Sequence, residues 1–131
     1  MNFRTLKELA ELCARRGLGI GELMLEEQCL ESGRPREAEF RKMADYWAIM
    51  KEAVRRGLTE DTTSRSGLTG GDAKRVMALV ERGGSALGGD AGRALAYALA
   101  VSEVNASMGR IVATPTAGSC GVIPGVFASA Q

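Results

Sequence analysis

The sequence predicts an all-α fold. Apolar residues recur at three- and four-residue spacing over much of the chain, the periodicity of one face of a helix. Helix start and stop signals bracket several of these runs. No stretch shows the apolar–polar alternation of a half-buried strand, and the most that extended structure claims is a short piece at Ile111, Val112 and Ala113. The expectation is a helical domain carrying glycine-rich substrate loops, and an incomplete one.

The first helix is expected over 5–16. Thr5 and Glu8 form the T-x-x-E pattern in which a threonine oxygen accepts from a free backbone N–H. Leu6, Leu9, Leu12 and Cys13 share one face, and Gly17 follows Arg15 and Arg16 as a stop. A second helix is expected over 20–32, ended by Ser32-Gly33. A third, over 35–56, opens on Pro35, which suits a first helical turn. It places Phe40, Met43, Ala44, Trp47, Met50 and Val54 on one face and ends at Gly57.

From 58 to 72 the periodicity breaks into T-E-D-T-T-S-R-S-G-L-T-G-G-D, which reads as a loop. A helix over 72–82 turns Val76, Leu79 and Val80 inward. The last helix, over 91–108, is small nearly all round, and a helix with no clear polar face is a buried one. Beyond it, 109–131 reads as a loop. The chain stops six residues past Gly125 with no capping signal, as expected of an interrupted domain.

Composition excludes several classes of function. Of 131 residues, 45% are hydrophobic and 25% charged, as in an ordinary globular protein. Seventeen basic residues against sixteen acidic ones give a net charge of +1. That is no electrostatic footprint for nucleic acid. No apolar run is long enough to span a bilayer, and the N-terminus lacks the apolar core of a signal peptide. Neither nucleic acid nor membrane is expected as a partner, and the cytoplasm is the expected compartment. Cys13, Cys29 and Cys120 are odd in number and widely spaced, so they do not suggest a disulfide framework. The absence of histidine removes any His-based triad or imidazole metal site from these residues.

Two segments carry chemical interest. In the first, S-R-S-G-L-T-G-G-D at 64–72, Ser66, Thr69, Gly70 and Gly71 lead into a helix whose N-terminal amides could hold a carboxylate or phosphate. The spacing is not that of a P-loop. Capping of the helix by Ser66, Thr69 or Asp72 is the commoner use of such residues. In the second, at 105–125, Asn105 would be costly to bury without a partner, in the core or on a ligand. Arg110 could take a carboxylate or a surface ion pair. Thr114, Thr116 and Ser119 could donate to a small polar ligand or shape turns. Cys120 could be a nucleophile, a metal ligand or a buried thiol, the last being commonest.

Together, S-G-L-T-G-G-D-A at 66–73 and V-S-E-V-N-A-S-M-G-R-I-V-A-T-P-T-A-G-S-C-G-V-I-P-G at 101–125 closely resemble the iron–sulfur-dependent L-serine dehydratase family. The likeness is to the N-terminal part of the alpha chain of the two-subunit form. The resemblance implies a lyase that converts L-serine to pyruvate and ammonia, in serine catabolism and, by extension, gluconeogenesis. It implies a 4Fe–4S cluster whose open iron takes the serine hydroxyl as a Lewis acid. It also implies an oligomer with a beta subunit, and substrate contacts at Ser66, Thr69, Gly70, Gly71, Asn105, Thr114, Thr116, Ser119 and Cys120. The catalytic base is not identified. The family's cluster cysteines fall in motifs C-terminal to T-A-G-S-C-G, so no metal ligand is expected among these residues, which by themselves should be inactive. The alternative from another class is a small helical binding or interaction domain that uses the two motifs for packing. A cysteine nucleophile at Cys120 is the weaker enzyme reading, because no histidine can activate it.

Overall fold

A computed structural model describes residues 3–131. They form six α-helices and one 3-10 turn: α1 (Leu6–Arg16), α2 (Ile20–Ser32), α3 (Arg36–Thr59), α4 (Asp72–Glu81), α5 (Gly88–Ala106), the turn Ala117–Ser119, and α6 (Val122–Ser129). Among the described residues there is no strand, so the fold is all-α as the periodicity predicts. Among the described residues no helix is long and apolar enough to cross a membrane. The chain divides into two compact units, residues 1–45 and 46–131, with α3 contributing to both.

In the first unit, Thr5 caps α1 by accepting from Glu8 N at 3.2 Å. The reciprocal half of the expected box is shifted by one residue, because Glu8 Oε2 accepts from Arg4 N at 2.6 Å instead. Gly17 ends the helix in the left-handed region at φ 63°, and Gly33 ends α2 in the same way at φ 67°. Leu9 and Leu23 are the buried apolar side chains here. The face predicted for α3 is not uniformly buried. Phe40 and Met43 are about two-thirds exposed, whereas Met50 and Val54, in the second unit, are buried.

The second unit is organised around α5. Its core joins Ala53 and Val54 of α3, Val101 and Val104 of α5, and Cys120, with Leu58, Tyr97 and Ile111 packed against them. Three glycines bring backbones close to α5. A Cβ on Gly57 would collide with the Ala100 carbonyl, one on Gly121 with the Ala98 carbonyl, and one on Gly125 with Ala94 and Ala98. Phe127 of α6 meets Trp47 of α3 edge to face, with ring centroids 6.4 Å apart.

Three predicted boundaries are corrected. The expected stop at Gly57 is the interior of α3; the glycine is there for the close approach to Ala100, and the helix runs on to Thr59. The last long helix begins at Gly88 rather than 91 and gives way at Ser107, where Met108 takes φ 64° and Gly109 N reaches back to Val104 O at 2.7 Å. That pairing, with Met108 N to Asn105 O at 3.0 Å, is the Schellman arrangement. The segment 109–131 is no continuous loop, since it contains the 3-10 turn and α6. Pro124 is the third residue of α6, within the first turn, where the N–H it lacks would have no helical partner.

Gly57→Ala tests the close packing. At an open helix site this change stabilises by up to about 1 kcal/mol through propensity. Here overpacking reverses the sign, and urea denaturation should show a loss of about 2 kcal/mol or more. Gly21→Ala in α2, where nothing lies within 4 Å of the added methyl, should not destabilise. Burial also pushes the Cys120 thiol pKa up, leaving little thiolate near neutral pH. A disulfide reagent at pH 8 should label Cys13 and Cys29, which are partly exposed, well before Cys120. Cys120 should react at their rate once the chain is unfolded.

Candidate functional site

Both motifs are tied to the last two turns of α5. On one side, the turn before α4 is built by its own polar atoms. Ser64 N donates to Thr69 O at 2.8 Å, Thr69 N to Ser64 Oγ at 3.1 Å, and Ser64 Oγ lies 3.1 Å from Ser66 Oγ. Arg65 N then donates to Ala106 O at 3.1 Å, fastening the turn to the end of α5. Gly70 fits against Thr62, whose carbonyl any Cβ would strike, and Gly71 takes φ 76°.

The residue expected to cap α4 does not do so. Gly71 occupies the cap position and offers no side chain, and neither Ser66 nor Thr69 reaches the helix. Glu103 of α5 supplies the cap instead: its Oε1 accepts from Asp72 N at 2.6 Å and Ala73 N at 3.1 Å. The helix end that could have held a substrate anion is therefore already served by an internal carboxylate. Glu103 is 8% exposed, and its Oε2 is buried without a hydrogen-bond partner. Sequence reasoning missed this residue. The available signal was an acidic side chain between Val101 and Val104 in an otherwise small, apolar helix.

Charged side chains brace the same turn. Lys74 Nζ, 2.6 Å from Asp61, holds that carboxyl below its ordinary pKa chiefly through the hydrogen bond. Arg75 donates to Gly70 O at 3.1 Å and to Gly71 O at 3.3 Å, and pairs with Asp72.

Asn105 lies two residues from Glu103, so it projects to the opposite side of α5. There Asn105 Nδ2 donates to Ala117 O at 3.0 Å and fixes the second motif. Thr116 and Ser119 satisfy each other in a capping box around the 3-10 turn, and Ser119 Oγ donates to Thr114 O at 3.0 Å. The Thr114–Pro115 peptide is cis. Thr114 Oγ1 and Thr62 Oγ1 are buried without partners. Cys120, next along, points into the core and is 1% exposed. Arg65 and Arg110 are exposed, and among the described residues neither guanidinium is paired.

The structure thus hangs Ser66, Thr69, Gly70 and Gly71 on one side of α5, and Thr114, Thr116 and Ser119 on the other. Among the described residues no hydrogen bond joins the two loops. Nor do they contain a group of three or more Cys, Asp or Glu side chains arranged to hold a metal ion.

Residues 15–131 match the family model described as serine dehydratase alpha chain. The chain is 42% identical to a probable L-serine dehydratase alpha chain of Bacillus subtilis, covering 95% of this chain and 41% of that one. It is 37% identical to an L-serine dehydratase alpha chain of Peptoniphilus asaccharolyticus, over 96% and 43%. Against the L-serine dehydratase TdcG of Escherichia coli it is 34% identical, over 97% and 28%. No solved structure matches. The chain spans about two-fifths of the length of the first two relatives, and both of its motifs lie inside the matched region. It belongs to the serine dehydratase alpha chain family.

Proposed function

We propose that this chain supplies substrate-positioning loops to an enzyme that eliminates water from L-serine, giving pyruvate and ammonia after hydrolysis of the aminoacrylate. One observation carries the reading: a single helix end, at Glu103, Asn105 and Ala106, anchors both motifs through direct hydrogen bonds. Relatives named for that activity share the whole segment.

β-Elimination needs the α-proton and the departing hydroxyl held in a fixed relation, which is a problem of orientation. Anchored loops perform that task better than mobile ones. In this reading Ser66, Thr69, Gly70 and Gly71 form one wall of the substrate site, and Asn105, Thr114, Thr116 and Ser119 form the other. The exposed guanidiniums of Arg65 and Arg110 are the cations free to meet the carboxylate. Cys120 contributes packing behind the second loop.

The iron–sulfur cluster belongs to the same proposal, as does a partner beta chain in a cytoplasmic oligomer serving serine catabolism and gluconeogenesis. The residues here do not fit the cluster. Holding one with an open iron takes three thiolates; Cys120 is a core thiol, 1% exposed, whose pKa burial raises, and the described residues hold no group of three Cys, Asp or Glu arranged for a metal ion. Its ligands are assigned to the part of the relatives' alpha chain that lies outside the matched segment.

Under anaerobic conditions, the chain supplied with the remaining part of the Bacillus subtilis alpha chain and a beta chain should form pyruvate from L-serine. No pyruvate from a correctly assembled, cluster-loaded complex would overturn the reading. In that complex Asn105→Ala should lower kcat/KM about tenfold or more, since it frees the second loop from α5. An unchanged kcat/KM would remove Asn105 from the site.

A further inference from the structure

We propose that Glu103 is the receptor for the ammonium group of the amino-acid substrate, a role that rests on the L-serine reading above. The side chain is bound on one oxygen only. Oε1 takes two backbone N–H groups, from Asp72 and Ala73, which fixes the plane and direction of the carboxylate. Oε2 is buried, and no donor or cation among the described residues reaches it.

A buried carboxylate oxygen without a partner is expensive, and buried charges are normally paired. The α4 N-terminus offsets part of the charge through its dipole, but gives Oε2 no hydrogen bond. The group that completes this carboxylate is therefore a compact cation with N–H donors, which describes a primary ammonium. The turn at 64–71 that leads directly into Asp72 and Ala73 is fastened to α5 by one backbone bond, from Arg65.

The test separates the amine from the rest of the substrate. Ethanolamine carries the ammonium and hydroxyl but no carboxylate; L-glycerate carries the carboxylate and hydroxyl but no ammonium. Each, and L-serine, is titrated into the 131-residue chain while the Glu103 side-chain carboxyl carbon is followed by NMR. Ethanolamine and L-serine should shift that resonance, and L-glycerate should not. Glu103→Gln keeps an oxygen for the Asp72 and Ala73 amides, so the α4 cap survives, but it should weaken both amines about tenfold or more and leave L-glycerate unchanged.

If L-serine binds wild type and Glu103→Gln equally, Glu103 is not the ammonium receptor and the L-serine reading stands. If ethanolamine binds through Glu103 and L-serine does not, the amine site stands and L-serine is not its ligand. If no amine moves the Glu103 resonance in wild type, the proposal fails whatever the variant does.

Discussion

The contact between the Gly57 backbone and the Ala100 carbonyl sets the geometry on which the second unit depends. It brings α3 to α5 at a distance no side chain permits, and Gly121 and Gly125 do the same for the following turn and α6 against Ala98 and Ala94. Glycine in a helix interior is costly in isolation. These glycines are tolerated because each gives up a side chain for backbone contact along α5. The buried residues of α5 are accordingly small: Gly92, Ala96, Ala100, Val101 and Val104. Such packing leaves α5 little freedom to shift, and both candidate loops are attached to its C-terminal end.

Electrostatics follow from that attachment. The amides at the start of α4 would ordinarily invite an anion, and the S-G-L-T-G-G sequence leaves open a substrate anion beside the commoner side-chain cap. With Glu103 in that place the local charge is reversed. In the substrate site proposed above, the first wall carries a buried carboxylate, and a substrate anion would be better met by the unpaired guanidiniums of Arg65 and Arg110. A zwitterion needs both signs, and the structure separates them between a buried acidic group and exposed basic ones.

The helices were legible because their signals are local. The Thr5 cap, the glycines at 17 and 33, and the apolar periodicity put α1 and α2 within a residue of where they lie. What the sequence hid was tertiary. Gly57 reads as a stop unless Ala100 is known to lie against it. Glu103 reads as one acidic residue in a small-residue helix until α4 is seen to end on it. Phe40 and Met43 lie on the predicted apolar face of α3, but the half of the helix that carries them is the half least covered. The family resemblance located the loops; it could not say that Thr116 and Ser119 are turned on each other.

That mutual satisfaction bears on how such a site recognises a small molecule. Hydroxyls in a polar motif are naturally taken for ligand donors, yet here most stabilise the loop that bears them. Ser64, Ser66, Thr116 and Ser119 all bond within their own turns. Each bond removes a candidate contact and stiffens the backbone that remains, the condition for preorganised binding. The groups left over are few: Oε2 of Glu103, the hydroxyls of Thr62, Thr63, Thr69 and Thr114, and two arginine side chains. If the substrate is L-serine, as proposed, it has few groups to recognise, and a small set of unsatisfied, fixed partners discriminates better than many adaptable ones. If Glu103 takes the substrate ammonium as proposed, the rigid packing of α5 holds its Oε2 unpaired and the bound cation offsets that cost.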